Sequence, residues 1–267
     1  DYTISGIGTT VITADTENAG TIVQNGLTVN AEKTFTNTKD TTVNVTLNNL
    51  GTINNNANFT VKGTNSLGKF LGNGILNVAG AITADRELAQ GTINISADSS
   101  LINAGGITVS DKISNFGTFV SNAGISGNVD NDGTLTSNNT ITGDVINSSI
   151  FDNNAKLKGV LTNTQTGNAT SNASNLLGNV VNNGLLKLTG GEYSAQVIAM
   201  MDMDDKISPF VPDYPLYVID IGHDEDLSFN NKSLHELRLV LHSIYSYTAD
   251  TDTSIVDNST LALAGIL

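Results

Sequence analysis

The sequence predicts a mainly β protein in which a β-solenoid (β-helix), built from repeats of about 16 residues, precedes a small acidic α/β tail. A fixed short period is the signature of a solenoid. Within each repeat the apolar residues follow at intervals of six, six and four, and this spacing keeps no helical face in line. Asn, Gly and Thr fill many of the remaining positions and disfavour helices. Short strands joined by polar turns therefore fit the repeats best.

Three aligned repeats begin at Ile113, Val129 and Val145. We expect their apolar columns to point inward, their Asn columns to stack as amide ladders, and their Gly column to occupy corners with positive φ. The apolar columns are Ile113, Val129, Val145; Phe119, Leu135, Phe151; and Ile125, Ile141, Leu157. The polar columns are Asn115, Asn131, Asn147, Asn163; Asn122, Asn138, Asn154; and Gly127, Gly143, Gly159. The six-plus-six spacing recurs, less regularly, at Leu47, Ile53, Phe59; Leu76, Ile82, Leu88; and Ile95, Leu101, Ile107.

A single coil of this kind does not fold alone. Its roughly three buried apolar side chains contribute about 1.5–3 kcal/mol each, whereas ordering the coil costs on the order of 1–2 kcal/mol for every residue. Stacking adds ladder hydrogen bonds and a continuous core, so only the array is stable. The ends of the array need caps against edge-to-edge growth, and the first 20 residues and the tail are the candidates.

The composition of the chain changes near residue 191. Of 35 Asn residues, 32 lie at or before Asn183, whereas every Pro, Met and His lies after residue 191. Residues 1–191 carry 13 acidic and 9 basic side chains, and residues 192–267 carry 13 and 3, so the net charges are −4 and −10. We predict two domains, an Asn/Gly/Thr-rich solenoid over 1–191 and an α/β segment over 192–267, which ends in an apolar stretch as a truncated segment would.

Several classes of protein are disfavoured by composition. The net charge of −14 argues against nucleic acid as the main partner, and we expect none for residues 1–191, because phosphate binding needs clustered Lys and Arg. The absence of Cys excludes a disulfide scaffold, a Cys-ligated zinc site and a thiol nucleophile. No stretch approaches the roughly 18 apolar residues of a membrane span. We interpret a chain that begins at Asp1 as a processed or excised product.

The repeats between about residues 20 and 190 resemble passenger regions of bacterial autotransporters and related adhesin-like surface proteins. The segments 131–143 (NDGTLTSNNTITG) and 182–190 (NNGLLKLTG) carry this resemblance. It implies a right-handed parallel β-solenoid displayed outside the cell. Such passengers are usually followed by an outer-membrane anchor, and we expect any anchor to lie outside this chain, because no run of alternating ten-residue strands follows the repeats.

Candidate chemistry within the repeats is sparse. The segment Gly63–Lys69 matches most of a phosphate-binding loop, but Phe70 stands where a Mg²⁺-binding Ser or Thr is needed, so we interpret it as a coil turn. A polysaccharide lyase or hydrolase built on a β-helix needs clustered carboxylates. The nearest candidates fall in different columns of the 16-residue frame, and we interpret them as solvated surface charges: Asp130, Asp132, Asp144 and Asp152. We therefore assign no catalytic, cofactor-binding or metal-binding residue.

The tail has the pattern of a globular segment. The run 216–221 (LYVIDI) predicts a buried strand, and Ser233 with Glu236 forms a capping box before an amphipathic helix. The region from about residue 209 to 267 resembles the C-terminal part of the recombination-promoting, transposase-associated nucleases. Those enzymes cut DNA with metal-binding Asp and Glu-x-Lys residues upstream of this region, and no Glu-x-Lys occurs here. The resemblance therefore implies a nuclease remnant that brings no active site.

Two clusters in the tail have residue types that bind metals. The acidic run Asp220–Asp226 contains His223, and His235 and His242 share a helix face. We interpret the first as a solvated acidic turn and the second as surface histidines, because no further ligand is placed beside them. The methionines at positions 200, 201 and 203 are interpreted as core residues of a short apolar segment.

The sequence-based hypothesis is a non-catalytic surface or secreted protein of a bacterium. It would bind a host-cell, matrix or glycan ligand through many weak contacts on repetitive faces, without a cofactor, at an extracellular location. Two alternatives from other classes stay open. The tail is a fragment of a DNA-related enzyme, which predicts metal-dependent DNA cleavage, or the solenoid is a carbohydrate-active β-helix enzyme, which predicts release of sugar products.

Overall fold

The protein is a parallel β-solenoid of about 10 turns, as the repeats predict. A computed structural model describes residues 2–189 and 216–220. The strands pair in parallel with those one coil before or after them, and most pair on both sides. The only helix in the described residues is a 3₁₀ turn, Ala173–Asn175. The strands, in chain order, are β1 (Thr3–Ile12), β2 (Thr16–Asn18), β3 (Thr21–Val29), β4 (Thr34–Asn37), β5 (Thr41–Asn49), β6 (Thr52–Asn55), β7 (Asn58–Ser66), β8 (Lys69–Leu71), β9 (Ile75–Ala84), β10 (Leu88–Ile95), β11 (Ser100–Asn103), β12 (Ile107–Asn115), β13 (Thr118–Ser121), β14 (Ile125–Asn131), β15 (Thr134–Ser137), β16 (Ile141–Thr142), β17 (Val145–Asn147), β18 (Ile150–Asn153), β19 (Leu161–Asn163), β20 (Asn168–Ser171), β21 (Val180–Asn182), β22 (Leu185–Thr189) and β23 (Leu216–Asp220).

Each coil crosses three stacks of strands, which we name face A, face B and face C. Face A contains the column that pairs Ile113 with Val129, and Val129 with Val145. Face B pairs Phe119 with Leu135, and face C pairs Ile125 with Ile141. The three apolar columns predicted from the repeats are therefore the inward positions of the three faces, one column on each.

The core is a single continuous cluster that runs along the solenoid axis. Every member of the predicted apolar columns is buried, and so are the nine residues of the less regular six-plus-six triplets. On each strand the neighbours of these residues point to solvent, which is the alternation of a sheet with one buried face. Phe59 and Phe70 meet edge to face, with ring centroids 5.1 Å apart.

The predicted Asn column at Asn115 forms a buried ladder on face A. Nδ2 of each amide donates to Oδ1 of the next, at 2.7 Å from Asn115 to Asn131 and at 2.7 Å from Asn131 to Asn147. The ladder continues at 2.8 Å to Asn163 and at 2.8 Å to Asn182, one step further than predicted. We call these five residues the C-terminal ladder. Its amides also donate to carbonyls in the turn that follows, Asn131 to Gly133 and Asn147 to Ser149, so the ladder stabilises the sharp turns between face A and face B.

A second buried ladder occupies the other half of the solenoid. Nδ2 of Asn18 donates to Asn37 at 3.1 Å, Asn37 to Asn55 at 2.8 Å, and Asn55 to Oε1 of Gln90 at 2.9 Å. We call these four residues the N-terminal ladder. It lies at the end of the face C strands, at the turn into face A, and the sequence columns did not predict it because its steps are not 16 residues long.

The repeat length of 16 holds only for part of the array. Ladder partners are 16 residues apart from Asn115 to Asn163, but 19 and 18 apart in the first two steps of the N-terminal ladder. The step from Asn163 to Asn182 is again 19 residues. The extra residues lie in the turns, where a solenoid accommodates insertions without changing its inward columns.

In each coil one strand continues around a corner from one face to the next, and the corner that it crosses changes midway along the array. β3, β5, β7 and β9 run over face A and face B, whereas β10, β12 and β14 run over face C and face A. The change occurs at β10, whose Leu88 pairs with Phe70 on face C and whose Ile93 pairs with Leu76 on face A. Gln90 ends the N-terminal ladder at this same strand.

Glycine is required at the corners that the Gly column predicts. Gly127 and Gly143 have φ values of 136° and 155°, which side chains rarely adopt. Gly159 has no such φ, but a Cβ there would lie 2.0 Å from the carbonyl oxygen of Gly143. At this third position close stacking of the backbone, and not the dihedral angle, explains the glycine.

Both ends of the described array continue the solenoid. β1 pairs with β3 and β2 with β4, and the hydroxyl of Tyr2 donates to Asn18 at 3.0 Å. At the other end β23, within the strand predicted at 216–221, pairs in register with β22 on face B. The predicted capping box, amphipathic helix, histidines, methionines and most of the acidic run lie outside the described residues.

Candidate functional site

The segment resembling a phosphate-binding loop is part of two strands and the turn between them. Gly63 belongs to β7 and Lys69 to β8, and no helix follows Lys69. Gly63 and Gly68 have positive φ values of 74° and 62°, so the glycines serve the bend and the turn of the coil. The interpretation as a coil turn is confirmed.

The four Asp residues considered for catalysis do not converge. Asp130 points outward from face A, Asp152 lies on face B, Asp144 lies at an exposed corner and Asp132 lies in an exposed turn. Within the described part of the chain, no three His, Cys, Asp or Glu side chains stand close enough to hold a metal ion. Among the described residues no helix is long and apolar enough to cross a membrane.

One of these carboxylates has a clear partner. Nζ of Lys112 donates to Oδ2 of Asp130 at 2.6 Å across adjacent coils of face A. The hydrogen bond and charge of Asp130 raise the pKa of Lys112 above its ordinary value of 10.5, and Asp111 and Asp132 add to this effect. Both side chains are partly exposed to solvent, so the pair is a surface contact between coils.

The predicted column at Asn122 forms a ladder on the outside of the solenoid. Nδ2 of Asn138 donates to Oδ1 of Asn122, and Nδ2 of Asn154 donates to Oδ1 of Asn138, each at 2.9 Å. All three side chains are exposed. Amide ladders are therefore present both inside the array and on its surface, in opposite donor directions along the axis.

Face C contains an open groove of about 530 Å³ that follows the solenoid axis. It forms where the strands of face C shorten from four residues in β4 and β6 to two in β16. Its floor lies over the buried column that contains Ile107 and Ile125. The residues that line it are Glu87, Gly105, Gly106, Ile107, Thr108, Gly124, Ile125, Ser126, Thr140, Thr142 and Lys158.

Two columns of small residues border this groove. Thr108 pairs with Ser126 and Ser126 pairs with Thr142, so one exposed hydroxyl follows another along successive coils. The second column contains Gly124 and Thr140. The carbonyl of Gly124 accepts a hydrogen bond from the amide of Ile107, and the carbonyl of Thr140 accepts one from the amide of Ile125, so each residue of the column is held by the neighbouring coil. Glu87 lies at one end of the groove and Lys158 at the other.

The repeat columns do not predict this groove. The signal was present, because the position before the inward face C residue is glycine at Gly106 and Gly124, and threonine or lysine in later repeats. Periodicity shows which positions point inward, but the shape of an outer surface depends on strand lengths that the columns do not encode. Neither a protein-family model, nor a curated protein, nor a solved structure matches this chain.

Proposed function

We propose that this chain is a rigid, non-catalytic rod, displayed on a bacterial cell surface or secreted, that binds host, matrix or glycan ligands through its repetitive faces. The observation that carries the proposal is the repetition of short polar side chains on the outside of a continuous stack of coils. On face B, Ser100 pairs with Thr118, and Thr118 pairs with Thr134, in one outer column.

The physical basis for binding is the summation of weak contacts. A stack places equivalent side chains at a spacing of about 4.8 Å from coil to coil. Contacts that are weak individually reach useful strength when one rigid surface presents many of them, because later contacts form at high effective concentration. Internal amide ladders keep the coils in register, so the outer columns stay aligned.

The resemblance to autotransporter passengers supports the extracellular location. An outer surface of low charge, with net charge −4 over residues 1–191, suits a structural rod more than a partner of phosphate-rich polymers. The separation of Asp130, Asp144 and Asp152 on different faces and corners favours a binding role over hydrolysis.

Limited proteolysis of intact producing cells tests this proposal. An antibody against residues 113–159 would follow the repeats in cells treated with protease before lysis. We expect cleavage of the repeats in unlysed cells, with a cytosolic marker protein left intact as the control. Protection of the repeats until lysis would overturn the surface location and direct attention to the tail.

A further inference from the structure

We propose that the groove on face C binds a neutral, extended glycan, with successive sugar units lying along successive coils. The inference rests on the proposed function, since it names the ligand class of a surface-binding rod. The groove has a volume of about 530 Å³, and its lining places a column of hydroxyl side chains beside a column that contains Gly106 and Gly124.

The groove matches an extended chain in its direction and its spacing. The coils from Glu87 to Lys158 are four steps apart, and at about 4.8 Å per step the groove is roughly 19 Å long. Thr108, Ser126 and Thr142 present one hydroxyl per step, a spacing close to the length of one sugar in an extended glycan. Each hydroxyl both donates and accepts, as recognition of sugar hydroxyls requires.

The glycines of the groove leave its floor open. A Cβ on Gly124 would have Thr140 O as its nearest atom, at 3.8 Å, and the φ of Gly124 is not in the left-handed region. Neither packing nor backbone angle therefore requires glycine at this position, and the next coil has Thr140 in the same column. A side chain on Gly124 would fill space that a ligand otherwise occupies.

The charges around the groove favour a neutral ligand. Glu87 and Lys158 place opposite charges at its two ends, so neither a polyanion nor a polycation is attracted along its full length. The net charge of −14 adds general repulsion of a polyanion. Lys69 lies 3.8 Å from Glu87 and partly neutralises that end.

An extended peptide fits the groove less well. A peptide commonly binds a sheet by adding a strand to a free edge. The backbone amides along the groove already donate within the solenoid, from Ile107 to Gly124, from Ile125 to Thr140 and from Ile141 to Lys156. Recognition must therefore come from side-chain hydroxyls and exposed glycine backbone, which suits sugar hydroxyls.

Calorimetric titration of the purified full chain with hexasaccharides tests the proposal. The probes are cellohexaose and chitohexaose as neutral glycans, a hexamer of galacturonic acid as a polyanion, and a neutral Ser/Thr peptide of equal length. The variants are Gly124→Leu, which fills the floor, and Gly8→Leu as the matched control. Gly8 also has open space around its Cβ, with Nε2 of Gln24 at 4.0 Å, but lies far from the groove in the chain and outside its lining.

We expect a neutral hexasaccharide to bind, and Gly124→Leu to weaken binding at least tenfold while Gly8→Leu leaves it unchanged. Equal affinity in the Gly124→Leu variant, tighter binding of the polyanion or the peptide, or no binding of either neutral glycan would overturn the proposal. Circular dichroism confirms that both variants keep the solenoid. Because this assay uses purified protein, its failure leaves the surface location, tested by proteolysis of intact cells, standing by itself.

Discussion

The two halves of the solenoid use the same buried amide stack at different corners of the coil. Between residues 16 and 90 the N-terminal ladder lies where face C turns into face A. Between residues 107 and 189 the C-terminal ladder lies where face A turns into face B. The chain bends without interruption from face A to face B in the first half, and from face C to face A in the second.

The comparison teaches that the continuous bend and the Asn turn can exchange corners while the three faces stay in place. From β10 onward the bend takes the corner between face C and face A, and the Asn turn takes the corner between face A and face B, while the apolar columns stay stacked. An apolar column tolerates this shift because its contacts are not directional. An amide ladder does not, because each donor needs an acceptor within hydrogen-bond reach. The last step of the N-terminal ladder already spans two coils, from Asn55 past the coil of Phe70 to Gln90, and a separate ladder begins at Asn115.

The largest effect is expected from a charge placed within the C-terminal ladder. Asn131→Asp removes the Nδ2 that donates to Asn147 and leaves a carboxylate at a site that is 1% exposed. We expect a loss of about 3 kcal/mol or more in the free energy of unfolding at neutral pH. Chemical denaturation followed by circular dichroism measures this loss.

The control for that variant is Asn138→Asp in the exposed ladder. Asn138 has amide partners one coil away on both sides, as Asn131 does, but solvent reaches it. We expect it to cost less than about 1 kcal/mol, since water solvates the charge. Equal losses in the two variants would mean that burial is not what makes the internal ladder important.

The second effect concerns a tight turn beside the C-terminal ladder. A Cβ at Gly133 would lie 2.2 Å from the carbonyl oxygen of Gly117 in the coil above, so Gly133→Ala forces the two coils apart. We expect a loss of about 2 kcal/mol, within the range of overpacked sites. Thermal unfolding of Gly133→Ala beside Gly124→Ala, whose Cβ meets open space, measures the difference. A similar melting temperature for both would contradict the stacking distance at Gly133.

The third effect tests whether the two ladders are independent. Gln90→Leu removes the Oε1 that accepts from Asn55, which keeps a second acceptor in the carbonyl of Ile75 at 3.1 Å. The substitution also removes the Nε2 that donates to the carbonyl of Ala89 at 2.7 Å. We expect a loss of about 1–2 kcal/mol, because two hydrogen bonds of Gln90 are broken while Asn55 keeps an acceptor. Hydrogen exchange should accelerate in peptides covering 52–58 and remain unchanged in peptides covering 129–147. Faster exchange in both regions would show that the ladders act as one unit.

The sequence predicted the inward columns well, and the corners only where the repeat length is constant. Ile113, Phe119 and Ile125 define the three faces because burial acts on every coil and leaves a periodic trace. The N-terminal ladder was missed because Asn18, Asn37 and Asn55 are separated by unequal turns, so no fixed period links them. The groove was missed for a related reason, since its shape comes from shortened face C strands and from glycines that no inward column requires.

The smallest effect is expected from the surface pair between Lys112 and Asp130. Asp130→Asn removes the charge that raises the pKa of Lys112. Solvent reaches both side chains, so the contribution of the pair is small and weakens as salt is added. Because the pKa of Lys112 is raised in the folded protein, the pair stabilises the protein fully at pH values below 10.5. This stabilisation is lost as the pH rises through the higher pKa of the folded state. The melting temperatures of wild type and Asp130→Asn should therefore differ slightly at neutral pH and low salt, and converge at strongly alkaline pH or in high salt. A difference that persists under both conditions would mean that Asp130 stabilises the adjacent coils through its packing or its neutral hydrogen bonds, as the buried ladders do, and not through its charge.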